Sequence, residues 1–102
     1  MNRKAYSINE ISDIINPIAK SYGIGSLALF GSYARGDADS ESDIDLRIVE
    51  DGSLRGFFKL AGFQRELEEK LKISVDVLPS DSLSDEFLRD IKDEEVIVYA
   101  DR

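Results

Sequence analysis

The chain has 102 residues, 42% of them hydrophobic, with neither cysteine nor histidine and a formal net charge of -8. That length fits one domain over residues 1–102 with a core of its own, and the missing thiol and imidazole exclude disulfides, thiol catalysis, sulfur-ligated metals and a Ser-His-Asp triad. The acidic balance speaks against a protein that grips nucleic acid by its phosphates, and with no apolar run near the roughly 18 residues that span a bilayer, nor an apolar stretch after Met1-Asn2-Arg3-Lys4, a cytoplasmic protein is expected.

In chain order, Ser7-Ile8-Asn9-Glu10 fits a capping box, and Ile8, Ile11, Ile14 or Ile15, and Ile18 continue at helical spacing. A first helix is expected from about Ser7 to Ser21, kinked at Pro17 or broken near Asn16, with Gly23 as its stop. Residues Ile24 to Phe30, short, mostly apolar and bounded by glycines, read as a buried strand. At Gly31 a sharp turn lets a bulky anion approach, Ser32 adds a hydroxyl, and Tyr33-Ala34-Arg35 can wind into a short helical turn, a corner suited to phosphate.

The polar stretch Gly36 to Ser42 is a loop by composition, and its acids Asp37, Asp39 and Glu41 are read as a solvated turn rather than as site residues. Asp43-Ile44-Asp45-Leu46-Arg47-Ile48-Val49 is a second strand. Its period of two puts Asp43, Asp45 and Arg47 on one face and Ile44, Leu46 and Ile48 on the other. Two like-charged carboxylates side by side favour a divalent cation, and hard oxygen donors suit Mg²⁺ or Mn²⁺ rather than zinc. Asp51-Gly52 reads as the turn that ends this strand.

An amphipathic helix is expected from about Leu54 to Leu71, with Phe57, Leu60, Phe63 or Gln64, Leu67 and Leu71 inward. Phe58, one step off that stripe, belongs either to a broad buried face or to a partner contact. Ile73 to Leu78 is a third strand with Val75 and Val77 inward, and Asp76 facing the other way with Ser74. Asp76 would complete an acidic trio if this strand neighbours the second. Ser82-Leu83-Ser84-Asp85-Glu86 opens a last short helix with Phe87, Leu88 and Ile91 inward, and Val96 to Tyr99 closes the chain as a strand.

Gly31-Ser32, ten residues, then Asp43-Ile44-Asp45 resembles the signature of the polymerase-beta-like nucleotidyltransferases, and Leu29 to Gly36 with Ser42 to Leu46 resembles their smallest branch, the minimal nucleotidyltransferases (MNT). The resemblance implies the α/β nucleotidyltransferase fold, a small mixed sheet of about four strands with helices packed on one side. It implies ATP with its phosphates at Gly31, Ser32 and Arg35, and two Mg²⁺ ions held by Asp43, Asp45 and Asp76. Arg35 is equally well accounted for by an ion pair to the loop acids. Arg47 departs from the family pattern and would either reach the triphosphate or neutralise Asp76.

Members of this size resemble the antitoxin half of HEPN–MNT toxin–antitoxin pairs, which implies AMP transfer to a tyrosine of a HEPN toxin partner in a hetero-oligomer. Two alternatives stand beside that expectation. One is a module that neutralises its partner by binding alone. The other is the catalytic subunit of an aminoglycoside-type, small-molecule nucleotidyltransferase.

Overall fold

The computed structural model describes residues 5–49 and 57–101, and of Phe57 and Phe58 the backbone alone. The turn expected at Asp51-Gly52, a helix start at Leu54 and the placement of the Phe58 side chain lie outside the described residues. Helix α1 (Ile8–Ser21) leads into strand β1 (Ser26–Phe30), the single turn α2 (Ser32–Arg35) and strand β2 (Ile44–Ile48). Helix α3 (Phe57–Leu71), strand β3 (Val75–Pro79), a 3-10 turn at Ser80–Ser82, helix α4 (Asp85–Ile91) and strand β4 (Val96–Ala100) follow.

Both ends of α1 are set by local chemistry. The Ser7 hydroxyl accepts from Glu10 N–H at 3.1 Å while Glu10 Oε1 accepts from Ser7 N–H at 2.8 Å, the reciprocal capping box. At the far end Gly23 takes φ +72, and Gly23 N–H and Ile24 N–H donate to the carbonyls of Lys20 and Ala19. These are the two bonds of a Schellman motif. The break expected near Asn16 does not occur, and α1 runs unbroken through Pro17. The hydrogen bond that Pro17 cannot make would reach the Asp13 carbonyl on the exposed side of the helix, where water can serve that oxygen. Ser12 on the same helix donates through its hydroxyl to the Val98 carbonyl at 2.6 Å, tying α1 to β4.

The four strands form one mixed sheet in the order β3-β2-β1-β4. β1 is antiparallel to β2 and β4, and β2 is parallel to β3 across the α3 crossover. Leu27 and Leu29 of β1, Leu46 of β2 and Val75 of β3 are completely buried in a core shared with Ile11 and Ile15 of α1 and Phe63, Leu67 and Leu71 of α3. Phe63, rather than Gln64, carries the inward stripe. At about 25 cal/mol per Å² of apolar surface removed from water, this layer is the main source of stability.

Strand alternation sends Phe30, Asp45 and Arg47 to the opposite face. That face is not wholly bare, because α4 packs the Phe87 ring edge-on against Phe30, with centroids 5.7 Å apart. No helix among the described residues is long and apolar enough to cross a membrane.

Candidate nucleotide and cation site

Phe30 lies directly opposite Asp45 across the β1–β2 ladder, so the next residue, Gly31, turns away beside the Asp45 side chain. Gly31 has φ +79 and ψ -158, a conformation that L side chains rarely adopt. A Cβ there would lie 2.3 Å from Asp45 Oδ2. Glycine is required twice over, by its dihedral and by the closeness of the carboxylate. Gly31 itself is the cap position of α2, and Ser32 is the first helical residue. Tyr33, 5% exposed, anchors this turn in the core, and Gly36 at φ +87 ends it.

Asp45 and Asp76 are register partners on the parallel β2 and β3 strands. The strand adjacency that sets Asp76 beside Asp45 is therefore present. Asp43 stands two residues upstream of Asp45, just ahead of β2, and is exposed like Asp76, while Asp45 is half-buried. Burial first, then the charges of Asp76 and Asp43 and a hydrogen bond with Asp76, push the Asp45 carboxyl up to about 6, against a smaller opposing pull from Arg35. A group whose charged form is disfavoured in this way gains from a nearby cation.

The donors here are carboxylate oxygens, the set that suits a hard divalent cation. Among the described residues no three acidic side chains converge into a ready-made cluster. The fit therefore rests on donor chemistry and on the raised proton affinity of Asp45.

Two acids that the sequence reading passed over complete the surroundings. Gly31 N–H donates to Glu94 Oε2 at 2.7 Å, and Arg35 Nη1 stands 3.4 Å from both Glu94 oxygens. Arg35 also pairs through Nε with Asp37 at 3.3 Å, so the ion pair to a loop acid is present. Arg47 does share the Asp45 face. Its guanidinium forks onto Glu95, Nε to Oε2 at 2.6 Å and Nη2 to Oε1 at 2.9 Å, and Nη1 donates to Ser80 Oγ at 2.7 Å. The only hint of Glu94 and Glu95 in the sequence is the acidic run Asp93-Glu94-Glu95 just before the closing apolar strand. Asp39 is a turn builder, as expected for the loop, accepting from Glu41 N–H and from the Ser42 hydroxyl.

Residues 8–98 match the family described as nucleotidyltransferase domain, and the chain belongs to that family. A Methanocaldococcus jannaschii protein provisionally named a protein adenylyltransferase is 42% identical over 77 residues, which cover 76% of this chain and 82% of that protein. In fold the chain is similar to one chain of a toxin–antitoxin crystal structure with AMP-PNP, with a TM-score of 0.73 at 18% identity over 89% of this chain and 74% of that one. It is similar also to a chain of the complex of tri-AMPylated Shewanella oneidensis HEPN toxin with MNT antitoxin, with a TM-score of 0.65 at 14% identity over 92% of this chain and 73% of that one. At these identities the structural likeness is one of fold.

Proposed function

We propose that this protein transfers AMP from ATP to a hydroxyl oxygen of a partner protein, a tyrosine of a HEPN toxin, and acts as the antitoxin of that pair in the cytoplasm. The observation that carries the reading is the convergence of Gly31, Asp45 and Asp76, which sets an anion-accepting turn against paired carboxylates. The name of the Methanocaldococcus relative supports the protein acceptor, and the two toxin–antitoxin neighbours support the partner.

In the proposed reaction the acceptor oxygen bonds to the α-phosphorus of ATP, the bond from that phosphorus to the bridging α–β oxygen breaks, and pyrophosphate leaves with the electron pair. Gly31 N–H, Ser32 and Arg35 receive the phosphate oxygens and hold the chain of phosphates in one orientation. Asp43, Asp45 and Asp76 are the residues that would hold Mg²⁺. When bound, that ion supplies charge neutralisation to the phosphates and to the leaving pyrophosphate. Asp76, exposed at the edge strand, stands on the acceptor side and takes up the hydroxyl proton. The acceptor arrives on a second protein, and the net charge of -8 makes a basic protein surface a better match than a nucleic acid.

The test is the intact mass of a co-purifying HEPN partner after incubation with this protein, ATP and Mg²⁺, beside an Asp43→Asn/Asp45→Asn variant. One or more added AMP groups that vanish with the variant are expected. An unmodified partner that is bound and inhibited equally by both forms would instead identify neutralisation by binding and sink the catalytic reading.

A further inference from the structure

The Gly31 N–H, assigned above to a nucleotide phosphate, already has an acceptor. Glu94 Oε2 lies 2.7 Å from that nitrogen, a charge-assisted length, and both Glu94 oxygens face Arg35 Nη1 at 3.4 Å. A carboxylate that takes a backbone N–H and faces a guanidinium uses the same two donors a phosphate would use. Glu94 comes from the connection between α4 and β4, 63 residues from Gly31 in sequence. Its own N–H is anchored on the Ile91 carbonyl at 3.0 Å. Its side chain is 21% exposed, so the contact is partly shielded from water. With Asp43 and Asp76 charging the neighbourhood of Asp45, a polyphosphate entering with Glu94 in place would bring a second anion to one donor and add to a negative crowd.

We propose that Glu94 is an internal stand-in for phosphate, a specificity-determining residue that the triphosphate must displace from Gly31 and Arg35. The proposal rests on the nucleotide reading of the site. Its consequence is a selective penalty. The cradle accepts a polyphosphate only in the fraction of molecules whose Glu94 has swung away, and apparent affinity falls by that fraction. A ligand without phosphate, such as adenosine, does not use these donors and bears no such penalty. Removing the carboxylate's charge replaces a charged competitor by a neutral one, a difference worth about tenfold in affinity.

The experiment is isothermal titration of the full chain with ATP, inorganic triphosphate and adenosine, each with Mg²⁺, for the wild type, Glu94→Gln and Glu94→Ala, with the thermal midpoint of each protein as a folding control. ATP and triphosphate binding about tenfold tighter in both variants, with adenosine unchanged, is the expected result. Equal or weaker triphosphate affinity in folded variants would overturn the stand-in and make Glu94 a support of the turn, leaving the nucleotide reading intact. If neither ATP nor triphosphate binds any of the three proteins, the nucleotide reading itself fails and the stand-in falls with it.

Discussion

Gly31 and Asp45 approach so closely that no side chain fits between them, since a Cβ on Gly31 would stand 2.3 Å from Asp45 Oδ2 and 3.3 Å from its Cγ. The two halves of the sequence motif therefore meet in space through one antiparallel pair, Phe30 opposite Asp45, and the ten residues between them close the loop that joins the strands. An anion held at the turn and a cation held at the carboxylate would be neighbours, which the proposed chemistry requires.

Gly31→Ala separates this contact from simple backbone strain. At φ +79 and ψ -158 the backbone alone costs an L residue on the order of 1–3 kcal/mol, and the new methyl must also push Asp45 aside. Loss of about 2 kcal/mol or more of stability and at least ~100-fold in AMP transfer is expected. Gly23→Ala is the control: φ is +72 there, but nothing lies within 4 Å of the added Cβ. It should lose about 1–2 kcal/mol and leave transfer near the wild-type rate. Equal transfer by both variants, in urea-calibrated folded protein, would show that the Gly31–Asp45 contact does not matter to the reaction.

Asp45 carries a pH signature. Its carboxyl, pushed up to about 6 in the fold, binds a proton that the unfolded chain releases near pH 4. Between those values the native state holds more protons than the unfolded one, so stability falls as pH rises from about 4 to about 6 and stays lower above. Asp45→Asn cannot ionise. With chelator present it should unfold later than the wild type at pH 7.5, by about 1–2 kcal/mol once the half-buried position is allowed for, and the two should converge at pH 4. Urea midpoints at pH 4, 6 and 7.5 check this, and parallel curves for the two proteins would contradict it. Added Mg²⁺ should narrow the gap at pH 7.5 by stabilising the wild type.

Local signals were legible because their partners lie within a few residues. The Ser7–Glu10 box and the Gly23 stop are of this kind, and so is the face that Asp45 shares with Arg47, which follows from the strand period alone. The adjacency of Asp45 and Asp76 was not legible, because period two fixes a face and says nothing about which strand is next to which; the α3 crossover settles that. Pro17 misled for a related reason. Its missing N–H is a local defect, but the exposed side of α1 tolerates it and the Ser12 bond to Val98 holds the helix on β4. Glu94 and Glu95 carry no local signal, because their contacts lie 63 and 48 residues away.

The Ser7 cap gives a prediction on stability alone. Ser7→Ala removes the hydroxyl that accepts from Glu10 N–H at 3.1 Å, while the backbone N–H at that position still donates to Glu10 Oε1. About 1 kcal/mol of stability should be lost in urea unfolding, with AMP transfer per folded molecule unchanged. A large fall in transfer would tie this end of α1 to the site in a way that the geometry does not suggest.

The Arg47–Glu95 fork reaches from β2 to the start of β4 and, through Ser80, to the end of β3, on the face that carries Asp45. Its side chains are 15% and 14% exposed, so either charge left alone would be held largely out of water. Arg47→Met should therefore cost about 3 kcal/mol, most of it the penalty of stranding the Glu95 carboxylate rather than the net worth of the pair. The Arg47→Met/Glu95→Leu double variant should recover much of that loss, because no Glu95 carboxylate is then left stranded, and what remains lost includes the Arg47 bond to Ser80 Oγ. A double-mutant cycle from urea unfolding reads the coupling directly, and strictly additive losses would place both groups in solvent. The double variant also tests what the fork does for chemistry. If it regains stability yet transfers AMP more slowly, with a changed pH profile through the Asp45 range, then Arg47 also shapes the field in which Asp45 ionises; if it transfers at the wild-type rate, the pair is a clamp between strands and nothing more.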